Sequence, residues 1–346
     1  MRKLVFLLVL VSIFRFPVSA LDLEAPRVPD QYSAFIPSDP KNLGEGILEM
    51  LREALLYFRP DLREAVSICM SVGAVAMLTS LLQNFPGVSQ RYMDLGAIGA
   101  VSLLLFQGTN SMIHLGVETV GEISAYGKLL LPVLAASLAA QGGVTSAGAL
   151  YGATALFSTM FSGVISTLLI PLIYFYLCLG VAKGVSDSEL LNRFQDGMKS
   201  FMTWALKTVL YIYTGYMTVT GVISGTTDAA ALKAAKLTIS SMIPVVGGIL
   251  SDASETILVS ASTVKNAVGI YGLWAIAAIW LGPLVKIGTH YLLLKALAAI
   301  STIFTGKKIS GLVDSFSGAM GHILAMTGAV CLMFLVSVVC FMKGVG

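Results

Sequence analysis

Residues 240–257, SSMIPVVGGILSDASETI, set a proline, a Gly-Gly pair and two acids inside an otherwise apolar tract. Pro244 has no N–H to donate, and Gly247-Gly248 permits an abrupt change of direction. Ser251 or Asp252 can cap a second helix whose first turn holds Glu255, where an acid complements the helix dipole. Upstream, Asp228 is placed to cap an Ala-rich helix that carries Lys233 and Lys236 on one face. The local pattern is therefore helix, break, helix. Helix ends exposed by such a break can bind an ion or a polar substrate, which is the chemistry these residues offer.

Catalysis has no comparable support. His114, His290 and His322 are far apart and form no HExxH or HxxxH pattern. No GxSxG, Walker A or GxGxxG motif occurs, and Asp94 and Asp252 lack the surroundings of an intramembrane aspartyl pair. No catalytic residue, metal ligand or cofactor is expected. Cys69, Cys178, Cys331 and Cys340 all lie in apolar segments without CxxC spacing and read as packing residues.

The break matters because of what surrounds it. Of the 346 residues, 56% are hydrophobic and 12% charged, and the mean hydropathy is +0.84. A soluble domain carries about a quarter charged residues, so lipid must cover much of this surface. The net charge of +3, without a Lys/Arg block, excludes a nucleic-acid footprint. In lipid, backbone groups freed by a break must be sheltered by protein or face a wet cavity. A re-entrant hairpin dipping from the outer face meets that condition; an amphipathic hairpin resting on the surface is the alternative.

The fold expected is all-α, a polytopic bundle of about seven or eight spans with the interrupted hairpin near its C-terminal third. Residues 1–20 read as a signal peptide: Arg2 and Lys3, then an apolar run from Leu4 to Phe14, then PVSA with cleavage after Ala20. Residues 21–64 form an extracytoplasmic leader, extended at first. Its amphipathic helix has Ile47, Leu48, Leu51, Leu55 and Phe58 on one face, against a membrane surface, a partner or the protein itself. Membrane helices fill 65–223, the interrupted hairpin 224–267 and further membrane helices 268–346. The spans are placed at 65–83, 95–115, 128–143, 145–162, 164–182, 201–223, 268–289 and 320–342, with turns at Gly142-Gly143 and Ser162-Gly163; two long tilted spans are the alternative between 128 and 182. Eight spans put Lys183, Arg193 and Lys199, and later Lys286, Lys295, Lys307 and Lys308, on the cytoplasmic side, in accord with the positive-inside rule.

Three GxxxG spacings, Gly148–Gly152, Gly180–Gly184 and Gly221–Gly225, suggest close helix packing, chiefly at Gly148, Gly152, Gly221 and Gly225. Glu118 and Glu122 read either as an outer loop or as a cation-attracting mouth, and Lys207 as a snorkelling residue near a span's end.

The stretch from Ser224 to Gly272, with its Pro-Val-Val-Gly-Gly and Ser-Asp-Ala core, resembles the signature of the stage III sporulation protein AE family. The resemblance implies a multi-pass protein of the mother-cell membrane around the forespore. It further implies a permease-like or channel subunit in the complex linking the two cells, required for late forespore development. Implied partners are the other stage III sporulation proteins of the same operon and, through them, stage II sporulation protein Q. The bilayer and other copies of the chain are further neighbours, and nucleic acid is not one. The alternative is a non-conducting scaffold that assembles the complex.

Overall fold

In a computed structural model the chain is described over residues 25–36, 43–82, 89–186, 188–242, 247–304 and 306–343. Its elements are α1 (Asp30–Ser33), α2 (Leu43–Tyr57), α3 (Arg59–Leu82), α4 (Gln90–Ala140), α5 (Val144–Val164), a π-helical turn (Ile165–Leu169), α6 (Ile170–Val185), α7 (Glu189–Met242), α8 (Gly247–Phe304) and α9 (Gly306–Lys343). The all-α bundle expected from sequence is what forms. The signal-peptide residues 1–20 lie outside the described part.

The division into eight separate spans does not hold. Among the described residues, five helical stretches are long and apolar enough to cross a membrane: Leu62–Leu82, Gln90–Ala140, Val144–Val185, Ala261–Ile303 and Lys307–Lys343. The expected spans 95–115 and 128–143 are one helix, α4, 51 residues long. At about 1.5 Å per residue it is more than twice the ~30 Å of a hydrocarbon core. The polar stretch between them, GVETVGEISAYGK, contains no proline and continues the helix through Glu118 and Glu122. The stretch 201–223 falls outside the five because Thr203, Lys207, Tyr211, Thr214 and Tyr216 lower its hydropathy.

The Gly142-Gly143 turn is where the sequence puts it. Gly142 has φ 87°, and its N–H donates to the Ala139 carbonyl at 2.9 Å. Ser162-Gly163, by contrast, is no turn. The helix passes through it and takes one π-helical turn at Ile165–Leu169 just before Pro171. The proline removes a backbone donor, and the hydroxyls of Ser166 and Thr167 donate to the carbonyls of Ser162 and Gly163 at 2.8 and 2.6 Å.

α9 is the axis, packed against α8, α4, α6 and α7. Its Phe316, Ile323, Phe334, Val338 and Phe341 are all buried. Between helices in lipid there is no hydrophobic force to exploit, so close van der Waals fit must hold them. That fit is made at glycines the GxxxG pattern does not single out. A Cβ on Gly127 would stand 2.0 Å from the Phe334 ring, one on Gly116 2.4 Å from Ile323, and one on Gly272 2.6 Å from Leu130. Gly180 does fit closely, with Ser315 2.7 Å from such a Cβ, whereas Gly148, Gly152 and Gly221 have nothing within 4 Å. The side-chain surroundings of Gly225 lie outside the described residues. A spacing alone reports that two glycines share a face, not which face the partner helix takes.

The leader is docked rather than extended over residues 25–36: Val28 joins the main core, and Phe35 packs with Met50, Ala54, Trp274, Ala278 and Leu281 in a smaller one. The amphipathic helix forms as α2, with Phe58 just beyond it, packed against the smaller core. Met50 and Ala54 are buried against α8, and Leu48 is 72% exposed with Leu51 and Leu55 also open.

Replacing Gly127 by Ala should destabilise the chain by about 1–3 kcal/mol, because Phe334 is itself buried and cannot yield. Gly148→Ala should be neutral or slightly stabilising, since a helical glycine gives way there to a better helix former. Thermal unfolding of the two variants in detergent checks the opposite signs.

Candidate functional site

α7 is described as far as Met242 and α8 from Gly247, and the break that the sequence places between them falls in residues 243–246, outside the described residues. Pro244 falls outside the described residues. Gly247, Gly248, Ser251, Asp252 and Glu255 belong by backbone to the first turns of α8, and their side chains are likewise outside the description. The backbone is helical from Gly247 through Ser251 and Asp252, so neither of these expected caps stands at a helix start.

What the structure does describe is the root of this broken arm. Asp228 is not the cap of its own helix, as its position in an Ala-rich stretch suggests; it lies inside the 54-residue α7. Its carboxylate reaches the N-terminus of α5, where the N–H groups of Ser146 and Thr145 donate to its two oxygens at 2.8 and 3.2 Å. The first turn of a helix leaves N–H groups without intrahelical partners and carries partial positive charge, so an acid there satisfies both. Asp228 is buried, 3% exposed. Burial pushes its carboxyl up, and the Ser146 and Thr145 bonds outweigh that and hold it below its ordinary value.

The other limb of the arm is tied at the same turn. Lys265 of α8, also buried, donates from Nζ to Gln141 Oε1 at 2.8 Å. Gln141 is the residue on which α4 ends, one before Gly142. Both limbs of the interrupted arm are thus fastened, by Asp228 and Lys265, to the α4–α5 turn. Nothing in the sequence pairs Lys265 with Gln141, 124 residues apart.

A second polar locus joins the leader to α4. Tyr32 donates a short hydrogen bond to one Glu122 oxygen, and Gln31 Nε2 donates to the other at 3.2 Å. Burial, and then the Glu122 bond, pushes the Tyr32 hydroxyl well above the usual phenol range. These residues, with Glu118, Phe58 and Lys286, border a cavity of about 470 Å³. Lys286 also sits over the Phe58 ring, 5.3 Å from its centroid. Glu118 and Glu122 therefore belong to a helix, not to a loop, and Glu122 is engaged by the leader. His290 and His322 turn Nδ1 to carbonyls of their own helices, at Lys286 and Gly318. Among the described residues no three His, Cys, Asp or Glu side chains gather as a metal set.

Residues 40–344, from the leader to the end of α9, match the family described as Stage III sporulation protein AE. The chain belongs to that family. A relative named Stage III sporulation protein AE, from Bacillus subtilis (strain 168), is 28% identical over 236 residues. The match covers 68% of this chain and 59% of the relative, so the chain spans less than two thirds of that relative's length. No solved structure matches. The family name assigns a role in sporulation, and the five long apolar helices fit a membrane protein.

Asp228→Ala should cost about 1 kcal/mol, the usual loss of a helix cap, and Asp228→Asn less. Because the folded carboxyl lies below its ordinary value, the wild type holds this contribution above about pH 4 and loses it as pH falls through the folded value. Thermal unfolding of wild type and Asp228→Ala on either side of pH 4 checks the sign: their difference should shrink in acid.

Proposed function

We propose that the chain is a permease-like or channel subunit of the envelope-spanning complex that links mother cell and forespore. The observation that supports this reading is that the arm from α7 to α8, in which the sequence places an interruption, is held by Asp228 and Lys265 against the α4–α5 turn. A helix broken at membrane depth needs shelter or water, and proteins that move solutes place such breaks along the path. The working residues are Pro244, Gly247, Gly248, Ser251, Asp252 and Glu255. The bundle around α9 takes no part in conduction: Tyr213, Phe161, Phe316, Phe334 and Phe341 fill it, each buried to below 2% exposure. The path runs along the arm or between copies of the chain. The protein stands in the mother-cell membrane with the other stage III proteins of its operon and, through them, stage II sporulation protein Q.

The same filled core favours a second reading, a scaffold that conducts nothing. Its docking element is α2, whose Leu48, Leu51 and Leu55 stay open after Met50 and Ala54 have packed.

The two readings part under mutation. Replacing Gly247 and Gly248 by Val should abolish spore formation while the protein still accumulates in the membrane. Deleting residues 45–58 should leave the complex able to co-purify. The scaffold reading requires the reverse, with normal sporulation in the glycine variant and dispersal of the partners in the deletion.

A further inference from the structure

A second cavity, about 460 Å³, opens between α7, α8 and α9, away from both the arm's root and the leader. One part of its lining is cationic: Lys199 and Lys207 from α7 and Lys295 from α8, with Asp314 of α9 the single acid. Asp314 already has a partner, since Lys295 Nζ donates to its Oδ1 at 2.5 Å. Among the described residues, neither Lys199 nor Lys207 has an acidic partner, and both are exposed. The balance leaves two unneutralised positive charges facing one groove.

The rest of the lining is apolar and low. Leu206 and Leu210 of α7 face Ala325, Ala329 and Leu332 of α9, whose small residues leave the volume open. The frame is stiff at the polar end. Gln195 Nε2 donates to Ser315 Oγ at 2.8 Å, and the buried His322 sets Nε2 3.4 Å from the Lys199 carbonyl. α7 and α9 are therefore held side by side independently of any occupant.

The outer flank of α7 indicates which kind of anion belongs here. Phe201, Trp204 and Tyr211 are 44, 61 and 70% exposed, and the Phe201 and Trp204 rings stand 6.1 Å apart. Exposed Trp and Tyr beside lysines are the residues that settle at headgroup depth in a bilayer. A soluble anion would need the lysines alone. A groove that runs from lysines into Leu and Ala, with interfacial aromatics on its rim, fits an amphiphile. We propose that this groove binds an anionic phospholipid, its phosphate between Lys199, Lys207 and Lys295 and its first acyl carbons along Leu206, Leu210 and Ala329. Basic pockets between membrane helices take such headgroups by charge, and the acyl chain adds apolar contact.

The test uses the full chain in nanodiscs of phosphatidylcholine and phosphatidylglycerol in equal parts, extracted into neutral detergent and read by native mass spectrometry. Phosphatidylglycerol should stay bound in preference to phosphatidylcholine. The Lys199→Gln/Lys207→Gln pair should weaken its retention on the order of 30-fold, and Lys199→Arg/Lys207→Arg should keep it. Ala325→Phe, which narrows the apolar wall without touching a charge, should also lower retention. Equal retention of the two lipids would overturn the assignment, as would a Gln pair that binds like wild type. Displacement of the lipid by millimolar inorganic phosphate, equally in wild type and Ala325→Phe, would overturn it too, as the mark of a soluble-anion site.

Discussion

A peptide group inside a membrane has no water to bond with, and this constraint governs where the chain can stop being helix. It keeps unbroken the part of each helix that lies in hydrocarbon, and helices of 51, 54 and 58 residues run on beyond that depth in a protein of 346. It also explains the form of each interruption that the structure describes. At Pro171 the helix does not end; it continues through one π turn, Ile165–Leu169, immediately upstream of the proline. At Gly142 it does end, and the N–H groups that start α5 are met by a carboxylate from 82 residues further along the chain. Asp228 is where a local need of one helix becomes a long-range tie.

That tie gives the interrupted arm a fixed base. Lys265 makes the matching contact from the other limb, so the stretch between 228 and 265 is closed at both ends on one turn. Behind it stands a bundle held by contact at Gly116, Gly127 and Gly272, where helix axes come closer than any side chain would allow. The bundle and the base of the arm are thus joined at the α4–α5 turn, where α4, α5, α7 and α8 are tied by buried polar contacts.

Much of this was legible in the residues. Composition set the class, the Gly142-Gly143 turn was readable from backbone chemistry, and the resemblance around Ser224 to Gly272 named the family. Span counting failed because it treats polarity as interruption. The Glu118–Lys128 stretch is polar yet helical, its Glu122 engaged by Tyr32 and Gln31 from a leader nearly a hundred residues earlier. The partner of Asp228 was not legible for the same reason: a cap within its own helix and a cap across the fold look alike in one dimension. What covers the apolar face of α2 or the glycine face at Gly148 was not legible, because an apolar or small stripe says nothing of which neighbour will cover it.

The central claim is that the arm between Asp228 and Lys265 is fastened to the α4–α5 turn. Gln141→Cys and Lys265→Cys, placed together in a chain with Cys69, Cys178, Cys331 and Cys340 replaced, can be treated in isolated membranes with a short bis-thiol cross-linker. The account predicts an intrachain cross-link in high yield, and none when Leu48→Cys replaces the Lys265→Cys partner. Single cysteines that label freely while the pair fails to join would contradict it.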